Sequence, residues 1–160
     1  MDSVAISRVL EKHLSNIAFT VCARDVFLYM FKKSRYKRVV FIVNLDNSSQ
    51  PGSHWIAVYL NSYNRIYYFD SFGNPPIHID ILSAFASSKA WRYSNIQLQN
   101  IDTYVCGQYA ILFSLFIDRC DRPSMFAKRF LSIHSSRYIR DKFVFNYCMQ
   151  RFTVKAPFRS

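Results

Sequence analysis

Two hydrophobic rhythms divide this chain of 160 residues into helical ends and a strand-rich middle. In residues 3–14, Ile6, Val9, Leu10 and His13 or Leu14 recur at the spacing of one helical face, with Asp2 or Ser3 as cap. Residues 17–31 are apolar without a regular period, and a short helix is expected from Asp25. Residues 38–46 are a β-branched run bounded by turn residues, which predicts a buried strand. Pro51 and Gly52 mark a loop over 47–53. Residues 54–60 and 65–70 read as two strands about a turn at 61–64, and the run Gly73-Asn74-Pro75-Pro76 ends the second sharply. A helix is expected over 78–88 and a strand over 91–98. Residues 105–119 are apolar enough for a buried central helix, Pro123 suits the first turn of a following one, and 136–151 form the last. Strands in the middle with helices at both ends predict an α+β fold, a central mixed or antiparallel sheet flanked by helices.

Composition supports one packed domain over residues 1–160. The chain is 51% hydrophobic and 18% aromatic and has only 3 glycines, so it can bury a sizeable core and is not expected to be disordered. Its longest apolar run, about 110–117, falls far short of the roughly 20 residues a membrane span needs. The N-terminus interleaves charges with short apolar stretches, unlike a signal peptide, so an intracellular, reducing setting is expected. Cys22, Cys106, Cys120 and Cys148 are widely spaced, which does not suggest a disulfide framework. His13, His54, His78 and His134 lack metal-binding spacings, so no metal site is expected.

The net charge of +11 is uneven. Residues 24–38 carry +5 and 119–160 carry +8, while 39–118 sum to −2 and 1–23 to zero. Two basic flanks suggest a polyanionic partner, most simply nucleic acid; a solvated basic surface is the plain alternative.

The candidate chemistry lies in the near-neutral middle. Cys106 heads the apolar helix, where the helix N-terminus stabilises a thiolate. Gly107 follows it, as expected where a substrate must approach the backbone closely. Antiparallel pairing of 54–60 with 65–70 about a centre near 62–63 puts His54 opposite Asp70 or Ser71. In that register the carboxylate binds one imidazole nitrogen and leaves the other for a thiol. Oxyanion donors are also needed: the Cys106 N–H is one, and a side-chain amide can be a second. Gln99 stands seven residues before Cys106, but Gln97 is equally polar, and the residues alone leave Gln99 as a solvated strand end.

The set Ser53-His54-Trp55, Phe69-Asp70-Ser71-Phe72-Gly73, Gln99 and Cys106-Gly107 resembles the adenovirus-protease (adenain) family of cysteine endopeptidases. That group includes proteases of Polinton/Maverick elements and adintovirus-like viruses; the SUMO-type deconjugating proteases are a related branch. The resemblance rests on residues 53–107 and on the order His, acid, Gln, Cys. It implies an adenain-like fold with His54 as general base, Asp70 orienting it, Cys106 as nucleophile and Gln99 in the oxyanion hole. The spacing of seven between Gln99 and Cys106 matches the adenain type, whereas Asp70 stands where adenovirus enzymes carry Glu. It further implies a monomeric, virion- and nucleus-associated enzyme that needs no cofactor for its chemistry. Its substrates would be viral structural precursors cut beside small residues, often Gly. Activation by DNA, through the flanks 24–38 and 119–160, and by a viral peptide is implied too; no membrane partner is expected. The rivals are an isopeptidase for a ubiquitin-like modifier and a non-enzymatic nucleic-acid-binding protein on a protease fold.

Overall fold

Among the described residues, five strands form one mixed sheet in the order β1-β2-β3-β4-β5, flanked by six helices. The computed structural model describes residues 1–133 and 135–152. In chain order the elements are α1 (Ser3–His13), β1 (Ala18–Ala23), α2 (Arg24–Lys33), β2 (Val39–Asn44), β3 (Trp55–Leu60) and β4 (Arg65–Phe69). Then come α3 (Ile79–Phe85), β5 (Ala90–Tyr93), α4 (Cys106–Arg119), α5 (Ser124–Leu131) and α6 (Arg137–Phe152). β2–β3 and β3–β4 pair antiparallel, and the outer pairs β1–β2 and β4–β5 are parallel.

Each face of the sheet buries its own apolar cluster. Val40, Ile42, Ala57, Tyr59 and Phe69 meet Ile6 and Leu10 of α1, Tyr109 and Phe113 of α4, Phe126 of α5 and Val144 of α6. On the other face Phe41, Val43, Ile56, Val58 and Tyr68 meet Phe27 and Phe31 of α2 and Ile81 and Phe85 of α3. β2 is buried along its whole length because both of its faces are covered. α4 is apolar nearly all round because it lies across the sheet under α1, α5 and α6. Among the described residues no helix is long and apolar enough to cross a membrane.

Two expectations need correction. Residues 17–31 are not irregular: they hold the edge strand β1, running straight into α2. Every residue of β1 is half-buried, so it lacks the alternation by which an edge strand is read. The strand expected over 91–98 ends at Tyr93. Beyond it Ser94 N donates to Tyr68 O, and then Leu98 N and Gln99 N both donate to Ser71 O, a convergence no ladder can continue through. Gly73, at φ +76, packs close to residues 95–97 there: a Cβ on it would lie 2.8 Å from Gln97 N.

Candidate active site

The register of β3 and β4 builds the site. Ala57 faces Phe69, a pairing centred at residue 63, so continuing it past the strand ends brings His54 beside Phe72. The two rings stack with centroids 4.8 Å apart. This contact fixes the imidazole, and its Nε2 lies 2.7 Å from Asp70 Oδ1. The same carboxylate oxygen accepts from Phe72 N at 2.8 Å, and Gly73 N donates to Asp70 O at 2.9 Å. Asp70 is thus held in a tight turn at the end of β4, with 1% of its surface exposed.

Cys106 is the first residue of α4. No side chain caps this helix, so its first amides and the positive end of its dipole are left for an anion. Burial pushes the Cys106 thiol up. The His54 hydrogen bond and charge, together with the Trp55 and Gly107 backbone N–H groups, outweigh it and hold the thiol below its ordinary range. Burial likewise lowers His54, but the bonds to Asp70 and Cys106 push it up to about 9. The two groups therefore favour a thiolate–imidazolium pair. Cys148, buried, and Cys22, half-buried beside the charge of Asp25, are pushed the other way by desolvation, each up to about 12.

Gln99 is brought to the same neighbourhood, but not as a solvated strand end: it is 1% exposed. Its Oε1 accepts from Ser71 Oγ at 2.7 Å, and its Nε2 donates to Thr103 O at 2.5 Å. Ser71, next to Asp70, thereby orients the amide and leaves one Nε2 N–H uncommitted among the described residues. Gln97 is spent on the Gln99 carbonyl, which its Nε2 reaches at 3.0 Å. A Cβ on Gly107 would make only ordinary contacts, 3.4 Å from Met1 Cβ and Trp55 Cδ1 and 3.6 Å from Ile6. Trp55 Nε1 also donates to Met1 O at 3.0 Å.

Asp141 of α6 is a residue the sequence did not reveal. Fully buried, it accepts from Asn100 N at 2.8 Å, Thr103 Oγ1 at 2.6 Å and Tyr109 Oη at 2.9 Å. Burial lifts its carboxyl above the usual range despite these bonds and the charge of Arg140. It clamps the loop between Gln99 and Cys106, and Thr103, which holds Gln99, is one of its donors. Among the described residues no group of His, Cys, Asp or Glu is arranged to hold a metal ion.

No family model matches the chain, and no curated protein matches it. Solved structures do. The ASFV pS273R protease superposes with a TM-score of 0.61 at 15% identity over 90% of this chain, which spans 66% of the length of that one. AvrA, solved with IP6 and CoA, gives a TM-score of 0.55 at 15% identity over 95% of this chain and 71% of its own. The central domain of Lpg1148 from Legionella pneumophila gives 0.52 at 14% identity over 91% and 98%. The fold is therefore cysteine-protease-like, an α+β arrangement with a mixed five-stranded sheet.

Proposed function

We propose that this chain is a cysteine endopeptidase of viral or viral-element origin. One observation carries the reading: His54, bonded to Asp70 at 2.7 Å, acts on Cys106 at the head of α4 so that the thiol stays below its ordinary range although buried. The Cys106 thiolate attacks a peptide carbonyl, and the Cys106 N–H with the free Gln99 N–H holds the oxyanion. His54, as imidazolium, protonates the leaving amine, and water then releases the acyl group from sulfur. Virion precursor proteins cut beside small residues are the proposed substrates, and the virion and host nucleus the proposed setting. The protease-like fold supports the class, and the resemblance over residues 53–107 supports the adenain type within it.

DNA is proposed to bind the basic flanks, but not through every cation there. Arg24 pairs with Asp80 at 2.9 Å and bonds Leu45 O and Asn47, Arg38 bonds Tyr59 Oη and Ile117 O, and Arg140 is buried. The phosphate contacts are assigned to the remaining flank cations, such as Lys32, Lys37, Lys128 and Lys142. Lys155 and Arg159 lie outside the described residues. Affinity should fall steeply with salt; salt-independent or absent binding removes this partner.

The test of the enzyme reading is turnover by the purified chain and by Cys106→Ala. Three substrates are offered: a capsid-precursor peptide with Gly beside the scissile bond, a SUMO-type conjugate, and an acyl-CoA with a protein acceptor. The last is included because a thiolate that attacks an amide carbonyl also attacks a thioester, and AvrA was solved with CoA. Cys106-dependent peptide cleavage is expected. Cleavage of the conjugate alone, or transfer of the acyl group alone, replaces the endopeptidase reading with that activity. Equal turnover by Cys106→Ala removes the enzyme reading and leaves a nucleic-acid-binding protein.

A further inference from the structure

Segment 39–118 contains three basic residues, Arg65, Lys89 and Arg92, and all three line one groove. The groove lies at the far end of β4 from Asp70, five residues or about 17 Å along the strand. Its floor is the sheet face that carries Tyr59 and Tyr67. Tyr59 pairs with Tyr67 and Tyr67 with Arg92, so these three side chains form a row across β3, β4 and β5. Arg65, two residues before Tyr67, shares that face and sits one diagonal from Arg92. Pro123 and Ser124, at the start of α5, form the wall. The cavity is about 400 Å³, in the range of small-molecule sites, and no carboxylate lines it. Asp121, two residues before that wall, accepts from Tyr59 Oη at 2.7 Å.

Like charges on adjacent strands cost stability, and proteins usually offset them with an acid. Here none does: among the described residues the ion pairs are Arg24–Asp80 and His54–Asp70, and neither involves these cations. The first turn of α5 adds the positive end of a helix dipole to the same space. Three uncompensated cations and a helix N-terminus around an open concavity are a complement to clustered phosphates.

We propose that this groove binds a compact polyphosphate through Arg65, Lys89 and Arg92. The ligand is either a free oligophosphate, such as a nucleoside triphosphate, or phosphates of a nucleic-acid backbone. The site is separate from the His54–Cys106 pair, and its three cations lie outside the flanks 24–38 and 119–160, the second of which supplies only the wall. It does not rest on the protease reading.

The test is titration calorimetry of the full chain with inorganic triphosphate and ATP, with a duplex oligonucleotide as competitor. It is run on the native protein, on Arg65→Gln/Arg92→Gln, and on a flank control, Lys32→Gln/Lys37→Gln. Thermal melts verify that both variants fold, which exposed substitutions permit. One triphosphate per chain is expected, weakened about tenfold or more in the groove variant and much less in the flank control. Displacement of triphosphate by the duplex assigns the site to nucleic-acid phosphates, and failure to displace it assigns the site to a free oligophosphate. No saturable binding, or equal loss in both variants, overturns the proposal.

Discussion

The two ends of β4 hold opposite kinds of electrostatics. At the Phe69 end, Asp70, His54 and Cys106 are largely withdrawn from water; Asp70 bonds His54, and His54 in turn acts on Cys106, so each charge has a partner. At the Arg65 end, three cations stand exposed around a groove with no acid among its lining residues. The first arrangement perturbs the proton affinities of His54 and Cys106, because burial makes each interaction strong. The second leaves cations ready for a ligand that brings its own negative charge. Segment 39–118 sums to −2, and that sum hides both features. Charge pairing along a strand, rather than charge per segment, separates a chemical site from a docking site.

The largest expected effect breaks the paired end. Asp70→Asn keeps the shape of the turn but removes the charge that holds His54, so turnover of a cleavable peptide should fall by roughly 10²- to 10⁴-fold. A loss of less than about tenfold would show that Phe72 stacking alone orients the ring. Gln99→Ala comes next. Removing one oxyanion donor should lower kcat by about 10²-fold while leaving alkylation of Cys106 by iodoacetamide, which forms no oxyanion, unchanged. Equal losses in both assays would mean that the side chain supports the fold instead.

Asp141→Asn tests how far the buried pairing extends. An amide there turns an N–H₂ toward donors from Asn100, Thr103 and Tyr109, which should cost about 1–3 kcal/mol, read from denaturant unfolding. Unchanged stability would mean that the loop before Cys106 is held by other contacts. The smallest effect sharpens the exposed end. Arg65→Gln/Arg92→Gln relieves like-charge crowding and should raise stability by about 0.2–1 kcal/mol at low salt, a gain that fades as salt is added. Destabilisation would reveal a hidden partner for one of the arginines.

Much of the paired end was legible in the sequence, for local reasons. A short turn at 61–64 left few registers for the two strands; the observed Ala57–Phe69 pairing is centred at 63 and puts His54 opposite Phe72, just beyond the expected Asp70 or Ser71. The helix headed by Cys106 was legible because its apolar run is long and begins abruptly. What escaped depended on contacts distant in sequence. Asp141 reaches its partners across 32 to 41 residues. β5 was drawn too long because the backbone bonds past Tyr93 converge on Ser71, on another segment, instead of continuing a ladder. β1 was missed because six half-buried residues pass into a helix with no turn residue between them. The groove escaped because Lys89, Arg92 and Arg65 meet only once β5 lies parallel to β4.

The central claim is that His54 makes Cys106 a thiolate, and the pH dependence of alkylation measures it most directly. A thiol held below its ordinary range ionises at lower pH than a free one, so labelling of Cys106 should rise at lower pH than an ordinary thiol, well before Cys22 and Cys148 react. Peptide turnover should show the same acid limb and then fall as His54 loses its proton near 9. In His54→Ala the labelling limb should move to higher pH, because burial then acts on the thiol without the imidazolium to oppose it. A Cys106 profile that tracks the other cysteines, or one that His54→Ala leaves in place, would contradict the account.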